Sequence, residues 1–260
     1  MLLAVRRPLP RCSCSRVLAT PAAARLGREE LGEFGTLSYR MFFTDPTTRR
    51  RLSPWHDVPL YADGCAGHPL FHMVCEMPRG TTHKMEICTS EMHNPIKQDE
   101  KKGVPRHVRH LGGVLHHYGA LPQTWEDPSQ AMHTTGLPGD DDPIDIIDVS
   151  QLPAKRGDVY TVKPLGVLGL IDEGETDWKV IAVNTEDPEA PKLDDVSDLE
   201  KRRPGIVDAI REWYRVYKVA DGKALGRDET MNIVSQSHDH WKALVASAPA
   251  ADGSNAGIGK

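Results

Sequence analysis

The chain has 260 residues, of which 39% are hydrophobic and 27% charged, and its formal net charge is −5 at pH 7. This length suffices for one domain with a large core. No apolar run approaches the length that crosses a bilayer. We therefore expect a single globular domain that has no membrane partner.

The first 28 residues differ in composition from the rest of the chain. Residues 1–28 contain six arginines, no lysine and no acidic residue, so this segment carries +6 and the remainder −11. An arginine-rich, acid-free segment with interleaved small and hydroxylated residues is typical of an organelle transit peptide. We predict a transit peptide at residues 1–28 and a location in the mitochondrial matrix. The alternatives are the plastid stroma, or the cytoplasm if the segment is a disordered basic arm. The acidic remainder argues against nucleic acid as a partner.

The middle of the chain favours a mainly β fold. Five segments with strand composition follow one another, separated by turn residues: LFHMVCEMP, HKMEICT, IDIIDVS, DVYTVKPLGVLGLID and DWKVIAVNT. Helical patterns appear only later. Ser197 and Glu200 form a predicted capping box, a second helix follows Pro204, and a third amphipathic segment runs from about 227 to 245. We expect the folded domain at residues 29–246 and a disordered tail at 247–260.

The segment GDDDPIDIID, residues 139–148, concentrates negative charge beside apolar residues. If the chain turns at the proline, Asp140, Asp142 and Asp145 approach one point, where each pair repels by roughly 4 kcal/mol at 4 Å. A multivalent cation offsets this repulsion, and ligands that are all oxygen favour magnesium. A solvated acidic turn is the alternative. A helix-flanked calcium loop is excluded, because Gln151 stands where such a loop needs glutamate.

Two predicted hairpins add charged residues. In LIDEGETDWKV, the loop EGET joins Asp172 to Asp177, so both aspartates lie at one edge of the sheet. The strand period of two places Lys179 on the same face as Asp177.

In HKMEICT, the same period places Lys84 and Glu86 on one face, and Glu76 lies on the preceding strand across the turn PRGTT. Exposed strand faces also alternate in this way, so this hairpin taken alone more often has a structural role.

Together these segments supply carboxylates for magnesium ions, and cations with tyrosines for phosphate oxygens. The inventory predicts metal-assisted transfer of a phosphoryl group to water. The acidic residues are Glu76, Glu86, Asp140, Asp142, Asp145, Asp172 and Asp177, and the basic residues are Lys84, Arg106, Lys179 and Lys218.

The same segments resemble a known family. DDDPIDI fits the signature of family I soluble inorganic pyrophosphatases, and HDVPLYAD, EMPRGTTHKMEI, NPIKQDEKKGVPRHVR, HYGALPQTWEDP, LIDEGETDWKVIAVNTEDP and YRVYKVADGK resemble its eukaryotic branch in order. The likeness covers residues 32 to 245. It implies an OB-like five-stranded closed barrel with flanking C-terminal α-helices, in a homodimer. It also implies hydrolysis of inorganic diphosphate to two orthophosphates with three or four Mg²⁺ ions.

The resemblance also implies a role for each site residue. Asp142 is expected to be the general base that takes a proton from the attacking water, and Tyr118 to tune it by a hydrogen bond. The expected metal ligands are Asp140, Asp145, Asp177, Asp172 and Glu86. The expected phosphate-binding residues are Lys84, Arg106, Lys179, Tyr217 and Lys218, and Glu76 belongs to the same pocket.

One departure from the family pattern leaves a second function open. Val114 stands where the family usually has a tyrosine, and the alternative is therefore an impaired relative that acts as a binding or scaffold protein. A nucleotide hydrolase is a weaker alternative, because the chain has no P-loop motif. The crowded histidines His107, His110, His116 and His117 are interpreted as packing residues rather than a zinc site.

Overall fold

The computed structural model describes residues 26–62, 69–132, 134–216 and 224–248. Within these residues the fold is two β-sheets, a short two-stranded ribbon and three α-helices near the C-terminus. The strands are β1 Gly27–Leu31, β2 Arg40–Thr44, β3 Arg51–Leu52, β4 Tyr61–Ala62, β5 Leu70–Met77, β6 Met85–Ile87, β7 Ile96–Gln98, β8 Glu100–Lys101, β9 Val104–Pro105, β10 His117–Ala120, β11 Asp145–Asp148, β12 Val159–Asp172, β13 Glu175–Asn184 and β14 Leu225–Gly226. The helices are α1 Val196–Arg202, α2 Ile206–Arg215 and α3 Arg227–Ser247.

Five strands of the larger sheet close into a ring. β12 pairs with both β13 and β5, β13 pairs with β11, β11 with β10, and β10 with β5. All these pairs are antiparallel except β11 with β13, which is parallel. The predicted mainly β fold with C-terminal helices is confirmed, and the predicted five-stranded closure corresponds to this ring.

Strand β13 shows why the ring is stable. Ile181 and Val183 belong to one apolar core, and Val180 and Ala182 to a second core on the opposite face. A strand that is buried on both faces needs a nearly continuous apolar run. The apolar run VIAV, residues 180–183, is therefore needed to bury both faces of β13. The charged residues Asp177 and Lys179, which precede this run on the same strand, are exceptions and are candidates for a functional site.

The hairpin between β12 and β13 is tighter than the sequence predicted. Asp172 pairs directly with Glu175, so the turn is only Glu173 and Gly174 rather than the four residues EGET. Both turn residues have positive φ, 51° and 95° respectively, as two-residue hairpin turns require. The shorter turn places Asp177 opposite Leu170 and deeper in the sheet than expected.

The smaller sheet has the strand order β1-β2-β7-β6, with β3 also paired to β2. Strand β1 begins at Gly27 and therefore includes the last two residues of the predicted leader, Gly27 and Arg28. Gly27 pairs with Thr44, and the side chain of Arg28 forms an ion pair with Asp158 at 2.6 Å. The remainder of the predicted leader, residues 1–25, lies outside the described residues, as does the predicted tail from residue 249.

The helix termini correct one prediction. Asp195, not Ser197, is the N-cap of α1, and its carboxylate accepts a hydrogen bond from the Ser197 N–H at 2.9 Å. Glu200 instead accepts hydrogen bonds from the N–H groups of Gly205 and Val207, at the start of α2. The acidic residue assigned to a capping box therefore orders the connection between two helices. No helix in the described part of the chain combines the length and apolarity of a membrane span.

Candidate active site

Predicted site residues from distant parts of the chain converge on one cleft with a volume of about 260 Å³. The Asp140 loop and the β12–β13 hairpin both open onto it, as the sequence predicted. Asp177 is fully buried and forms an ion pair with Lys179, which lines the cleft, whereas Tyr217 and Lys218 fall outside the described residues. The predicted residues that line the cleft are Glu76, Lys84, Glu86, Arg106, Tyr118, Asp140, Asp142, Asp145, Asp172 and Lys179.

Strand pairing places Lys179 among carboxylates. Asp145 and Lys179 are direct neighbours across the parallel pair of β11 and β13, and Asp177 precedes Lys179 by two residues on the same face. The ammonium group of Lys179 forms ion pairs with both aspartates. Lys179 is 1% exposed and Asp177 is fully buried. The lysine predicted to bind phosphate therefore neutralises two of the predicted metal ligands in this structure.

The carboxylate of Glu126, which was not predicted from the sequence, lies close to that of Asp140. The segment that carries Glu126 is hydrogen-bonded to the Asp140 loop. One oxygen each from Glu126, Asp140 and Asp177 lie within 4.8 Å of one another. Gly139 permits this approach, since a Cβ there would lie 2.3 Å from the backbone carbonyl group of Glu126. Glu126 lies in an irregular segment without periodicity, and only its acidic character next to a tryptophan hinted at a site.

Crowding of these acids changes their protonation. Burial raises the pKa of Asp140 to about 7, and the charge of Asp177 adds to this effect. Enclosure by the cleft walls raises the pKa of Asp142 to about 8 although this residue is exposed to the open cleft, and Asp140 and Glu86 contribute further. Burial also raises the pKa of Glu126 well above its ordinary value.

The donor set fits a hard divalent cation. Two carboxylates 4.8 Å apart repel by about 3 kcal/mol at an effective dielectric of about 20. Four carboxylates, those of Glu126, Asp140, Asp145 and Asp177, belong to this group, and the ammonium group of Lys179 forms ion pairs with Asp145 and Asp177. One lysine cannot neutralise four acids, and their ligand atoms are all oxygen. Residues with these properties match the ligand preference of Mg²⁺.

Two cations that line the cleft, Lys84 and Arg106, are held by an acid that was not predicted. Asp99 accepts from Arg106 at 2.6 Å and forms an ion pair with Lys84 at 3.0 Å, and Lys84 also pairs with Glu86. Asp99 is 8% exposed, while the Arg106 side chain is 43% exposed. Asp99 therefore fixes the positions of two cations that still face the cleft.

Glu76 and Tyr118 lie at an irregularity between β5 and β10. The register shifts there, because Tyr118 pairs with Met77 and the next residue of β10 pairs with Cys75. Glu76 is left between the two pairs, is 2% exposed, and accepts a hydrogen bond from the Ile87 N–H at 2.7 Å. The ammonium nitrogen of Lys179 lies 6.0 Å from the Tyr118 ring centroid. Both residues line the cleft.

Tyr214 is a second aromatic residue that the sequence analysis did not assign to the site. This buried residue of α2 lines the cleft together with Val114. The same two residues also border a small adjoining recess. The Tyr214 ring centroid lies 5.9 Å from the ammonium nitrogen of Lys179. A phenol therefore stands beside the position where the family resemblance implies that a hydroxyl is missing.

His117, one of the crowded histidines, makes hydrogen bonds with the backbone. His117 is buried, contacts the Leu152 carbonyl oxygen through Nε2 at 2.8 Å, and accepts from the Arg79 N–H at 3.0 Å. Among the residues that the structure describes, the only cluster suited to a metal consists of the three acids around Glu126.

Comparisons with known proteins agree with this fold and cleft. The sequence profile named "Inorganic pyrophosphatase" matches residues 73–242. The inorganic pyrophosphatase of Mus musculus is 47% identical over 223 residues, which cover 81% of this chain and 75% of that protein. A chloroplastic soluble inorganic pyrophosphatase of Chlamydomonas reinhardtii is 43% identical, with 85% of this chain and 80% of that protein covered. A truncated Trypanosoma cruzi vacuolar soluble pyrophosphatase in complex with PPi is 38% identical, with a TM-score of 0.78 and coverage of 93% and 99%.

The fold and the acidic cleft define a metal-dependent hydrolase. The chain belongs to the inorganic pyrophosphatase family, whose members hydrolyse diphosphate. The predicted resemblance to the eukaryotic branch is thereby confirmed.

Proposed function

We propose that this protein hydrolyses inorganic diphosphate to two orthophosphates with magnesium as its cofactor. One observation carries the proposal: ten predicted residues from distant segments line a single cleft, and they include both carboxylates and cations. A small anion that bears two phosphates needs both kinds of group. Its oxygens contact the cationic side chains, and the metal ions that bind with it need carboxylate ligands. Family membership supports the same substrate.

The carboxylates have two tasks in this proposal. Asp140, Asp145 and Asp177 would hold the ions near the attacking water, and Asp172 with Glu86 would hold those that arrive with the substrate. Bound magnesium would polarise phosphate oxygens and lower the pKa of a bound water molecule. We infer three to four ions from the family resemblance.

The other residues bind the substrate and move a proton. Asp142 is exposed to the cleft. Its carboxylate can take the proton of the attacking water once a bound cation lowers the pKa of Asp142. Lys84 and Arg106, held by Asp99, would contact the phosphate oxygens, and Tyr217 with Lys218 would add a second contact. Lys179 would change partners from the aspartates to the substrate when metal ions bind. Tyr118 would orient the base.

A comparison of substrates tests the proposal. Phosphate release from diphosphate and from ATP is measured with the chain from residue 26, in Mg²⁺ and in EDTA. We expect release from diphosphate in Mg²⁺, little release from ATP, and none in EDTA. Faster release from ATP than from diphosphate, or undiminished release in EDTA, would contradict the assignment.

We further propose that the arginine-rich segment before β1 is an organelle leader and that the folded domain forms a homodimer. The chloroplastic relative supports an organelle. The mitochondrial matrix is our first candidate and the plastid stroma the second. Imaging of residues 1–28 fused to a fluorescent protein tests the leader, and diffuse cytoplasmic fluorescence would contradict it. Sedimentation equilibrium tests the dimer.

A further inference from the structure

Glu126 combines burial with an unsatisfied carboxylate oxygen. The residue is fully buried, and its Oε1 accepts a hydrogen bond from the Trp178 N–H at 3.0 Å. Its Oε2 is buried and has no hydrogen-bond partner among the described residues. A carboxylate left half satisfied in a protein interior is costly, and a structural role alone would be served by an amide or an apolar side chain. The second oxygen therefore requires another explanation.

The backbone around Glu126 is bonded directly to the Asp140 loop. The Glu126 N–H donates to the Asp142 carbonyl oxygen, and the Asp141 N–H donates to the Glu126 carbonyl oxygen, both at 2.9 Å. The indole N–H of Trp125 donates to the Asp141 carboxylate at 2.9 Å. These bonds make the two segments one unit, so that Glu126 keeps a fixed position relative to Asp140.

The Glu126 carboxylate lies close to two other acids. A Glu126 oxygen lies within 4.8 Å of oxygens of Asp140 and Asp177, although these acids come from a loop and a strand that are distant in sequence. Three oxygens at this separation can converge on one divalent cation at the bond length of about 2.1 Å that magnesium prefers. Lys179 forms ion pairs with Asp145 and Asp177, and no described hydrogen bond or ion pair joins it to Glu126.

We propose that Glu126 is a further carboxylate ligand of the divalent cation held by Asp140 and Asp177. The inference rests on the metal centre of the proposed function and adds to it a residue outside the predicted ligand set. Trp178 orients the carboxylate through Oε1, which leaves Oε2 for the ion. Glutamine at this position would keep the bond to Trp178 and place an uncharged amide towards the other two acids.

The test measures metal binding without substrate. Mg²⁺ binding to the metal-free full chain is followed by calorimetry for the wild type, Glu126→Gln, Asp140→Asn and a matched control, Glu173→Gln, whose side chain is 83% exposed. We expect Glu126→Gln to weaken the tightest site at least tenfold and the control to leave it unchanged. We also expect the metal-free Glu126→Gln variant to melt no lower than the wild type, since one of three mutually repelling acids is gone.

The outcomes separate this inference from the proposed function. Wild-type Mg²⁺ affinity in Glu126→Gln, together with loss of binding in Asp140→Asn, would overturn the role of Glu126 and leave the metal centre intact. Unchanged binding in Asp140→Asn would overturn the metal centre itself. If circular dichroism shows that Glu126→Gln does not fold, Glu126→Asp takes its place. That shorter acid is expected to weaken the site, and wild-type affinity would overturn the inference.

Discussion

The ammonium group of Lys179 forms an ion pair with Asp177, two residues earlier on β13, and both side chains are buried. The same group reaches Asp145 across the parallel strand pair. One cation therefore stabilises a buried acid, Asp177, and a partly buried one, Asp145. Removal of one partner from such a group leaves an uncompensated buried charge.

Lys179→Met is accordingly expected to destabilise the metal-free protein by about 3 to 5 kcal/mol. Added Mg²⁺ should recover part of this loss, because the cation replaces the missing positive charge. Urea unfolding in EDTA and in Mg²⁺ measures both effects. Lys101→Met is the control, since that lysine is 68% exposed and should change stability by less than about 0.5 kcal/mol. Equal destabilisation in EDTA and Mg²⁺ would contradict the explanation.

Asp99 holds two cations that face the cleft, and its removal should loosen both. We expect Asp99→Asn to raise the KM for diphosphate at least tenfold and to lower kcat less, because Lys84 and Arg106 lose their common partner. Steady-state kinetics at saturating Mg²⁺ provide the measurement. Asp239→Asn on the surface of α3 is the matched control. A fall in kcat at constant KM would show that Asp99 does not act through substrate binding.

Tyr214 supplies a phenol beside Val114, where the family pattern implies a missing hydroxyl. We expect Tyr214→Phe to lower kcat/KM about tenfold, as for loss of a hydrogen bond to a charged group, with little change in melting temperature. Val114→Tyr in the Tyr214→Phe background should restore part of the activity, because both residues border the same recess. Kinetics of the two variants test this pairing, and wild-type activity in Tyr214→Phe would refute it.

The raised pKa of Asp140 predicts a pH dependence of stability in the metal-free protein. The ordinary value is 3.8 and the folded value is about 7, so between these values the folded state binds more protons than the unfolded state. Stability from this group is therefore lost as the pH rises from about 4 to about 7, by up to about 1.4 kcal/mol per pH unit. Asp142, with a pKa of about 8, acts in the same direction.

Thermal unfolding in EDTA across this range measures the slope. Asp140→Asn should flatten it, because the amide does not titrate, and Mg²⁺ should stabilise the wild type more at pH 8 than at pH 5. An equal slope in the wild type and in Asp140→Asn would show that this carboxyl does not titrate as described.

The strand-borne part of the site was predictable because a period of two fixes which side chains share a face. Asp177 and Lys179 on one strand, and the position of Glu76 near the end of another, follow from this rule. The direct pairing of Asp145 with Lys179 did not follow, since it requires the parallel neighbour relation of β11 and β13. Local sequence carries no signal for which distant strands become neighbours.

Glu126 and Asp99 were missed for a related reason. Both lie in irregular segments, where no periodicity predicts the direction of a side chain. The neighbours of Glu126 are also distant in sequence, since Asp140 is 14 residues away and Asp177 is 51 residues away. Tyr214 was missed because an aromatic residue on the apolar face of a helix usually belongs to the core. Only the packed structure shows that this face meets the cleft.

The most direct test of the central claim compares the wild type with Asp142→Asn in the hydrolysis of diphosphate, with Mg²⁺ and diphosphate binding measured on the same samples. Asp142 is exposed to the cleft and is the proposed acceptor of the proton from water. We predict that kcat falls by about 10² to 10⁴ while both ligands still bind, because asparagine cannot take up the proton. An unchanged kcat would contradict the account.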